Sequence, residues 1–133
     1  MKFTIDRSKW RAGGTGDHAC GKGQVYLQNR ENFQCCLGQI SMQLGIPEDA
    51  LLYKTNPRWI SNKNEQIVSI FLKTSYNYGL NQLTIDAINI NDNIHYTSSE
   101  RETKLTELFA KNGYELEFTG EYTPYRSCLT ACN

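Results

Sequence analysis

The sequence predicts a single α+β domain in which a small, mainly antiparallel sheet is packed by three to four helices. Apolar residues recur every three or four positions across residues 34–44 and 99–112, which is typical of the buried face of an α-helix. Apolar and polar residues alternate instead across residues 2–6, which is typical of a half-buried strand. The 133 residues of the chain are enough to bury one core. We therefore expect one domain over residues 1–133, ending in a loosely packed tail at 119–133.

The composition is that of a globular protein, with 39% apolar and 21% charged residues. No apolar run approaches the roughly 18 residues that a membrane span needs, and the amino end lacks the apolar region of a signal peptide. Basic and acidic side chains are balanced at 14 each. This balance disfavours non-specific binding to nucleic acids, because that binding draws on a basic excess. We expect a cytoplasmic protein without a membrane partner.

The amino-terminal half contains two predicted strands and one well-marked helix. Residues 2–6 form the first strand, and residues 24–28 form the second after a glycine-rich stretch. The helix over 34–44 ends at Gly45, because glycine takes the left-handed position that follows a helix. Pro47 cannot continue that helix and begins a second, shorter one.

The middle of the chain is less clearly patterned. The apolar run 67–72 fits a strand or a buried helix, and its length and periodicity leave both open. Residues 80–89 fit a helix that ends at the turn Asn91-Asp92-Asn93. Asp86 and Asp92 are a pair of carboxylates that could bind a metal or act in acid–base catalysis. The turn interpretation is favoured, because turns prefer Asp and Asn for their own backbone hydrogen bonds.

The carboxyl-terminal half predicts a helix followed by a strand. Ser99 with Glu102 three residues on matches a capping box, so the helix over 99–112 is predicted to begin there. Gly113 then provides the same stop as in the first helix. Residues 114–119 alternate as an edge strand and are the natural partner of the first strand.

Residues 12–23 form a glycine-rich loop that nearly matches the phosphate-cradling pattern G-x-x-x-x-G-K-[S/T]. Gly23 stands where the pattern requires the Ser or Thr that coordinates magnesium. A predicted strand also follows, where a helix amino end should face the phosphates. We therefore exclude a nucleotide-hydrolysing P-loop. The alternative that survives is a small-molecule sponge, in which the loop, Lys22 and Arg11 sequester a nucleotide signal.

Five cysteines without a secretion signal disfavour a disulfide framework. Cys35 and Cys36 lie near a helix amino end, where the helix dipole lowers a thiol pKa, and His95 is a candidate base for a thiol-dependent enzyme. Cys36 also lies on the apolar stripe of its helix, and no local motif marks a histidine as its partner. We therefore favour buried structural thiols and no catalytic residue, with the thiol enzyme as the alternative.

Four further side chains could serve as zinc ligands together with the paired cysteines, namely His18, Cys20, Cys128 and Cys132. Their spacings, His-x-Cys and Cys-x-x-x-Cys, differ from the Cys-x-x-Cys spacing that structural zinc sites favour. We expect no cofactor, and the alternative is a structural zinc that joins the glycine-rich loop to the tail.

The loop at residues 74–79 is a candidate binding surface. Tyr76, Asn77 and Tyr78 have the composition of protein-binding paratopes, because tyrosine buries a large area at little entropic cost while its polar neighbours adapt their hydrogen bonds. An ordinary loop with Tyr78 packed against the core is an equally good interpretation. These three residues, with Arg11 and Lys22, are the predicted binding set.

Four stretches of the sequence are distinctive when taken together. They are the opening Met-Lys-Phe-Thr-Ile-Asp-Arg-Ser-Lys-Trp, the Cys35-Cys36-Leu37-Gly38 helix, Ile90-Asn91-Asp92, and Arg101-Glu102 leading to Leu108-Phe109-Ala110-Lys111-Asn112-Gly113. With them the chain resembles a group of small proteins carried by bacteriophages and prophages, over residues 1–46 and 90–118. No activity is established for that group, so the resemblance assigns no catalytic residue.

The resemblance implies a phage accessory gene. By analogy, such genes often encode inhibitors of host proteins, including anti-CRISPR and other anti-defence factors. Together with the lack of a complete catalytic set and the Tyr/Asn loop, it favours a non-enzymatic binder that inhibits a host protein, located in the cytoplasm of an infected or lysogenic bacterium.

Overall fold

The computed structural model of the protein describes residues 1–13, 25–73 and 79–122, and these residues have an α+β fold. In chain order the elements are β1 (Lys2–Asp6), α1 (Cys36–Gln43), α2 (Glu48–Leu51), a 3-10 turn (Pro57–Trp59), α3 (Glu65–Phe71), α4 (Gln82–Asp92), α5 (Ser98–Lys111) and β2 (Glu115–Thr119). The predicted α+β class is confirmed. Within the described ranges, none of the helices has both the length and the apolar character that crossing a membrane demands.

The first and last strands pair with each other, as their alternation predicted, but they run parallel. The register joins Lys2 to Glu115 and continues to Asp6 with Thr119. The predicted antiparallel sheet is therefore wrong. Alternation specifies which face of a strand is buried and carries no information on strand direction. Direction is set here by α5, which packs on β2 and reverses into it at Gly113.

The predicted strand at 24–28 is also wrong over its described part, since residues 25–28 belong to neither strand of the sheet. Residues 26–29 instead lie between residues 33–35 and residues 52–54. Cys35 donates its backbone N–H to the Tyr26 carbonyl, and Leu27 donates to the Lys54 carbonyl. Each flanking segment makes only one or two backbone hydrogen bonds with residues 26–29 before the chain changes direction. A regular β-ladder therefore does not form.

Side chains of α1 close the free edge of β1. The Gln39 amide accepts from Asp6 N–H at 2.7 Å and donates to the Asp6 carbonyl at 3.0 Å. One helical turn later, Gln43 makes the same paired contact with Thr4, at 2.9 and 2.6 Å. Two glutamine side chains thus take the place of a third strand, and a two-stranded sheet leaves these β1 backbone groups satisfied.

The core lies between the sheet and helices α1 and α5. Its most enclosed members are each at most 2% exposed and include Phe3, Ile5, Trp10, Cys36, Leu37, Ile40, Leu105 and Phe109. The inward positions predicted for the first strand are therefore buried, and so are most of those predicted for the two helices, while Phe33 and Leu108 are only partly buried.

The helix boundaries differ from the predictions where two signals compete. Thr97 and Glu100 form the capping box of α5. This pair lies two residues before the predicted pair, Ser99 and Glu102. Glu102 is instead engaged by Arg7, which donates to both of its carboxylate oxygens at 2.8 and 2.9 Å. The sequence Thr-Ser-Ser-Glu-Arg-Glu satisfies the capping pattern twice, so the pattern alone could not select the start.

Two other helices settle points of the prediction: whether the run 67–72 is a strand or a helix, and where the helix over 80–89 ends. The apolar run 67–72 is mostly helical, within α3, and begins behind Asn64, whose side chain accepts from Ile67 N–H. Helix α4 continues through Asn91 to Asp92, so the predicted turn at Asn91-Asp92 is wrong. Asn91 is only 1% exposed and its side chain is engaged by the core, so it does not serve a turn.

Candidate functional site

Two exposed tyrosines lie side by side on the segments at residues 25–35 and 52–54, which belong to no strand of the sheet. We call these two segments the irregular region. Tyr26 is 39% exposed and Tyr53 is 53% exposed. Their ring centroids are 5.7 Å apart with the ring planes at 68°, an edge-to-face arrangement. The two rings therefore present a joined aromatic surface to solvent.

Backbone hydrogen bonds hold this pair from several sides. Leu27 N–H donates to the Lys54 carbonyl at 2.7 Å, and Tyr53 N–H donates to the Gln28 carbonyl at 2.9 Å. Tyr26 accepts from Cys35 N–H at 3.2 Å. The backbone at both tyrosines is thus fixed by main-chain contacts within the fold.

Tyr53 adopts a left-handed backbone conformation, with φ at 61°. A bulky side chain in this region is an outlier, and such strain costs on the order of 1–3 kcal/mol. The ring is half exposed, so burial of the side chain does not offset the whole cost. Backbone outliers of this kind cluster at binding and catalytic sites.

A third exposed side chain, that of Met42, is linked to the segment of Tyr26 by a buried glutamine pair. Gln34 donates to the Gln28 side chain at 2.8 Å, and both residues are 4% exposed. The same Gln34 amide contacts the sulfur of Met42, which is 36% exposed. We call Tyr26, Tyr53 and Met42 the tyrosine–methionine face. Thioether side chains suit such a surface because they adapt to irregular partners.

The predicted binding set is only partly visible. Tyr76, Asn77, Tyr78 and Lys22 lie outside the described residues. The residues next to the 74–78 range are paired, since Lys73 N–H donates to the Gly79 carbonyl at 2.8 Å.

Arg11 lies inside the molecule and does not face solvent. It is 2% exposed, and its guanidinium carbon lies 4.2 Å from the centroid of the Phe33 ring. This geometry is a cation–π contact that packs the first loop against the segment before α1. The nucleotide sponge, which needs Arg11 and Lys22 on one surface, stays a prediction.

Cys35 and Cys36 lie at the amino end of α1, and both are enclosed by the core, at 4% and 0% exposed. Burial raises the pKa of the Cys35 thiol to about 12, and the charge of Asp92 adds to the shift. Burial likewise raises the pKa of Cys36 well above its usual value. Since the thiolate is the nucleophile, this environment disfavours a reactive role for either sulfur. His95, the proposed base, is exposed in the turn between α4 and α5.

The glycine of the Cys-Cys-Leu-Gly stretch has a role that the sequence pattern did not reveal. A Cβ atom added to Gly38 would lie 1.9 Å from the Leu27 carbonyl oxygen. Only glycine therefore lets α1 approach the segment that carries Tyr26. A glycine inside a helical pattern is the available signal, because it usually marks a close approach.

The candidate zinc ligands His18, Cys20, Cys128 and Cys132 lie outside the described residues. Within the part of the chain that is described, no three His, Cys, Asp or Glu side chains come together as a metal site would require. The predicted carboxylate pair is separated, because Asp86 and Asp92 are six residues apart on α4 and so lie about 120° apart around the helix.

Asn91 is the centre of a buried polar network. Its side-chain oxygen accepts from the Trp10 indole N–H at 2.8 Å and from Cys36 N–H at 3.2 Å. Its amide nitrogen donates to the Arg11 carbonyl at 3.1 Å. The network joins α4 to the first loop and to the start of α1.

Asp92 extends this network to the segment of Tyr26. Its carboxylate accepts from Val25 N–H at 3.2 Å and from the Asn91 amide at 2.9 Å. Burial raises the pKa of Asp92 to about 6, although these hydrogen bonds and the charge of Arg101 act in the opposite direction.

No family model, curated protein or solved structure matches this chain.

Proposed function

We propose that this protein is a phage-type accessory protein that binds a host protein and inhibits it by covering part of its surface, without catalysis. The anti-CRISPR and other anti-defence classes are the roles that fit this proposal. The observation that supports it best is Tyr53, a half-exposed aromatic residue held in a left-handed conformation against Tyr26.

The tyrosine–methionine face has the physical properties of an interface centre. Tyrosine and methionine are enriched at protein interfaces, and tyrosine loses little conformational entropy when it is buried. Binding affinity also depends on how much ordering remains to be done on association. Because main-chain hydrogen bonds already fix both tyrosines, a partner gains the apolar contact without ordering this segment.

A pair of double variants tests the proposal. The chain is used to capture its target from host lysate, the target is identified by mass spectrometry, and the affinity is then measured with purified target by calorimetry. We expect Tyr26→Ala with Tyr53→Ala to weaken binding by about 30-fold or more, the effect of removing a hot spot worth about 2 kcal/mol. Ile85→Ala with Ile94→Ala is the matched control, since those side chains are 38% and 37% exposed on another part of the surface.

Equal affinity of the tyrosine double variant and the wild type would contradict the proposed face, provided that both are folded by circular dichroism. A third variant, Tyr76→Ala with Tyr78→Ala, separates the tyrosine–methionine face from the loop that the sequence pointed to. Turnover of a nucleotide, peptide or protein substrate by the purified chain would contradict the non-enzymatic mechanism itself.

A further inference from the structure

Asp92 is a partly buried carboxylate whose two oxygens are both used as acceptors. Oδ2 accepts from Val25 N–H at 3.2 Å, and Oδ1 accepts from the Asn91 amide at 2.9 Å. Among the described residues Asp92 forms no salt bridge. Its charge is therefore balanced by dipoles and by more distant cations, which makes its hydrogen bonds sensitive to its protonation state.

The Val25 contact connects this carboxylate to the tyrosine–methionine face. Val25 is nearly buried and directly precedes Tyr26. On the other side of Tyr26, Leu27 is fixed by its bond to the Lys54 carbonyl. Asp92 thus supplies the side-chain anchor on the amino-terminal side of the exposed ring.

Among residues 1–13, 25–73 and 79–122, the charged and titratable groups that act on Asp92 come from α5 and α1. Arg101 of α5 is 1% exposed and donates to the carbonyls of Asn93 at 2.7 Å and Ile90 at 3.2 Å, so it closes the end of α4 rather than pairing with Asp92. Cys35 and Cys36 of α1 face the carboxylate as neutral thiols, because burial raises the pKa of both. Arg101 favours the charged carboxylate and burial favours the neutral one.

We propose that Asp92 is a proton-operated clasp that regulates the tyrosine–methionine face by fixing or releasing Val25. The biological meaning of this regulation rests on the proposed function. When the carboxylate is ionised, both oxygens make charge-assisted hydrogen bonds, and Val25 is held. When it takes up a proton, one oxygen becomes a hydroxyl group and both bonds weaken, while the cost of burying a charge disappears. The fold is therefore retained, and the segment of Tyr26 becomes looser.

Burial places this change near pH 6 rather than in the usual acidic range, because it raises the pKa of Asp92 to about 6. The same carboxylate on the surface of α4 would stay ionised through this interval.

The test follows the Val25 amide by nitrogen-15 NMR between pH 5 and 7.5 on the intact chain. In the wild type we expect the Val25 resonance to shift with a midpoint near pH 6. Its hydrogen-exchange protection should fall by about tenfold on the acid side, the loss expected for one hydrogen bond. Carbon-13 signals of the Tyr26 and Tyr53 rings should shift with the same midpoint.

Asp92→Asn should abolish the titration at Val25, and Asp86→Asn, a carboxylate removed from another face of α4, should leave it in place. A Val25 amide that shows no midpoint between pH 5 and 7.5 in the wild type overturns the clasp, and this result needs no variant to fold. Failure of the proposed function gives a different result, in which Val25 titrates but Tyr26→Ala with Tyr53→Ala still binds the target normally.

Discussion

The region around β1 and the region between residues 25 and 54 satisfy their backbones in opposite ways. β1 is paired with β2 along one edge and with Gln39 and Gln43 along the other. Residues 25–54 contain isolated bridges, exposed rings and two non-glycine residues with positive φ, Asn32 and Tyr53. In the first region the backbone groups are satisfied by regular contacts that stabilise the fold. The second region retains backbone strain and exposed apolar surface. The difference is the one expected if the second region carries the proposed interface.

The close contact between α1 and the segment of Tyr26, inside the second region, is the one we expect to be most sensitive. Gly38→Ala places a methyl group against the Leu27 carbonyl, where the added Cβ would be 1.9 Å from the oxygen. Backbone atoms cannot yield as a flexible side chain does, so we expect a loss of about 3 kcal/mol or more in the free energy of unfolding, measured with urea. Met42→Ala is the control in the same helix, because its side chain is exposed. Wild-type stability of Gly38→Ala would mean that α1 and the Tyr26 segment are not held at this distance.

The second effect depends on pH. The pKa of Asp92 is raised from 3.8 to about 6, so the folded chain binds this proton more tightly than the unfolded chain does. Its contribution to stability is therefore largest below the unfolded pKa and is lost as the pH rises through about 6. Relative to Asp92→Asn, the wild type should gain up to about 3 kcal/mol in unfolding free energy between pH 7 and pH 4. Parallel stability curves for the two proteins would show that Asp92 ionises normally in the fold, and Asp86→Asn is the matched control.

The closed edge of β1 gives the third effect. Gln39→Ala leaves the Asp6 N–H without its partner, while the Asp6 carbonyl still accepts from Lys9 N–H at 3.1 Å, and we expect the change to cost about 2 kcal/mol because Gln39 is 6% exposed. Gln43→Ala removes the same paired contact at the exposed end, where water replaces it, and should cost less than about 1 kcal/mol. The two variants are controls for each other. Equal losses, measured by thermal and urea unfolding, would show that burial does not decide the strength of this edge.

The smallest expected effect has the opposite sign. Tyr53→Gly removes a side chain from a left-handed position, so the free energy of unfolding should rise by up to about 1 kcal/mol while target binding is lost. Tyr26→Gly is the comparison, because Tyr26 has no positive φ and its replacement should lower stability. If Tyr53→Gly destabilised the chain, the conformation of Tyr53 would have to be explained by packing instead of binding.

Much of the regular framework follows from the sequence because its signals are local. Both glycine stops are found in the left-handed region, with φ at 95° for Gly45 and 87° for Gly113. The pairing of the first strand with the last also follows, since these are the clearest alternating segments. Their parallel direction does not, because it depends on where α5 packs. The predicted strand at 24–28 fails for a related reason, since a run such as Val-Tyr-Leu-Gln favours extended backbone but cannot specify neighbours.

The candidate site is the least predictable part. Loop composition drew attention to Tyr76, Asn77 and Tyr78, which lie outside the described residues. Tyr53 follows Leu51-Leu52 and resembles the end of a core helix, and a positive φ at tyrosine contradicts its local preference. Only tertiary contacts, such as the Gln28 carbonyl that accepts from Tyr53 N–H, impose it. Sequence patterns report average preferences, and this site departs from them.

The two glutamines of α1 have a consequence beyond the free energy of one domain. A flank with unsatisfied main-chain groups can recruit a strand from any neighbouring molecule, and chains present at high concentration could then form fibres. Gln39 and Gln43 occupy that flank of β1 from within the same chain. The edge of β1 is thereby blocked, so a strand of a neighbouring molecule cannot pair with it even when many chains are synthesised close together.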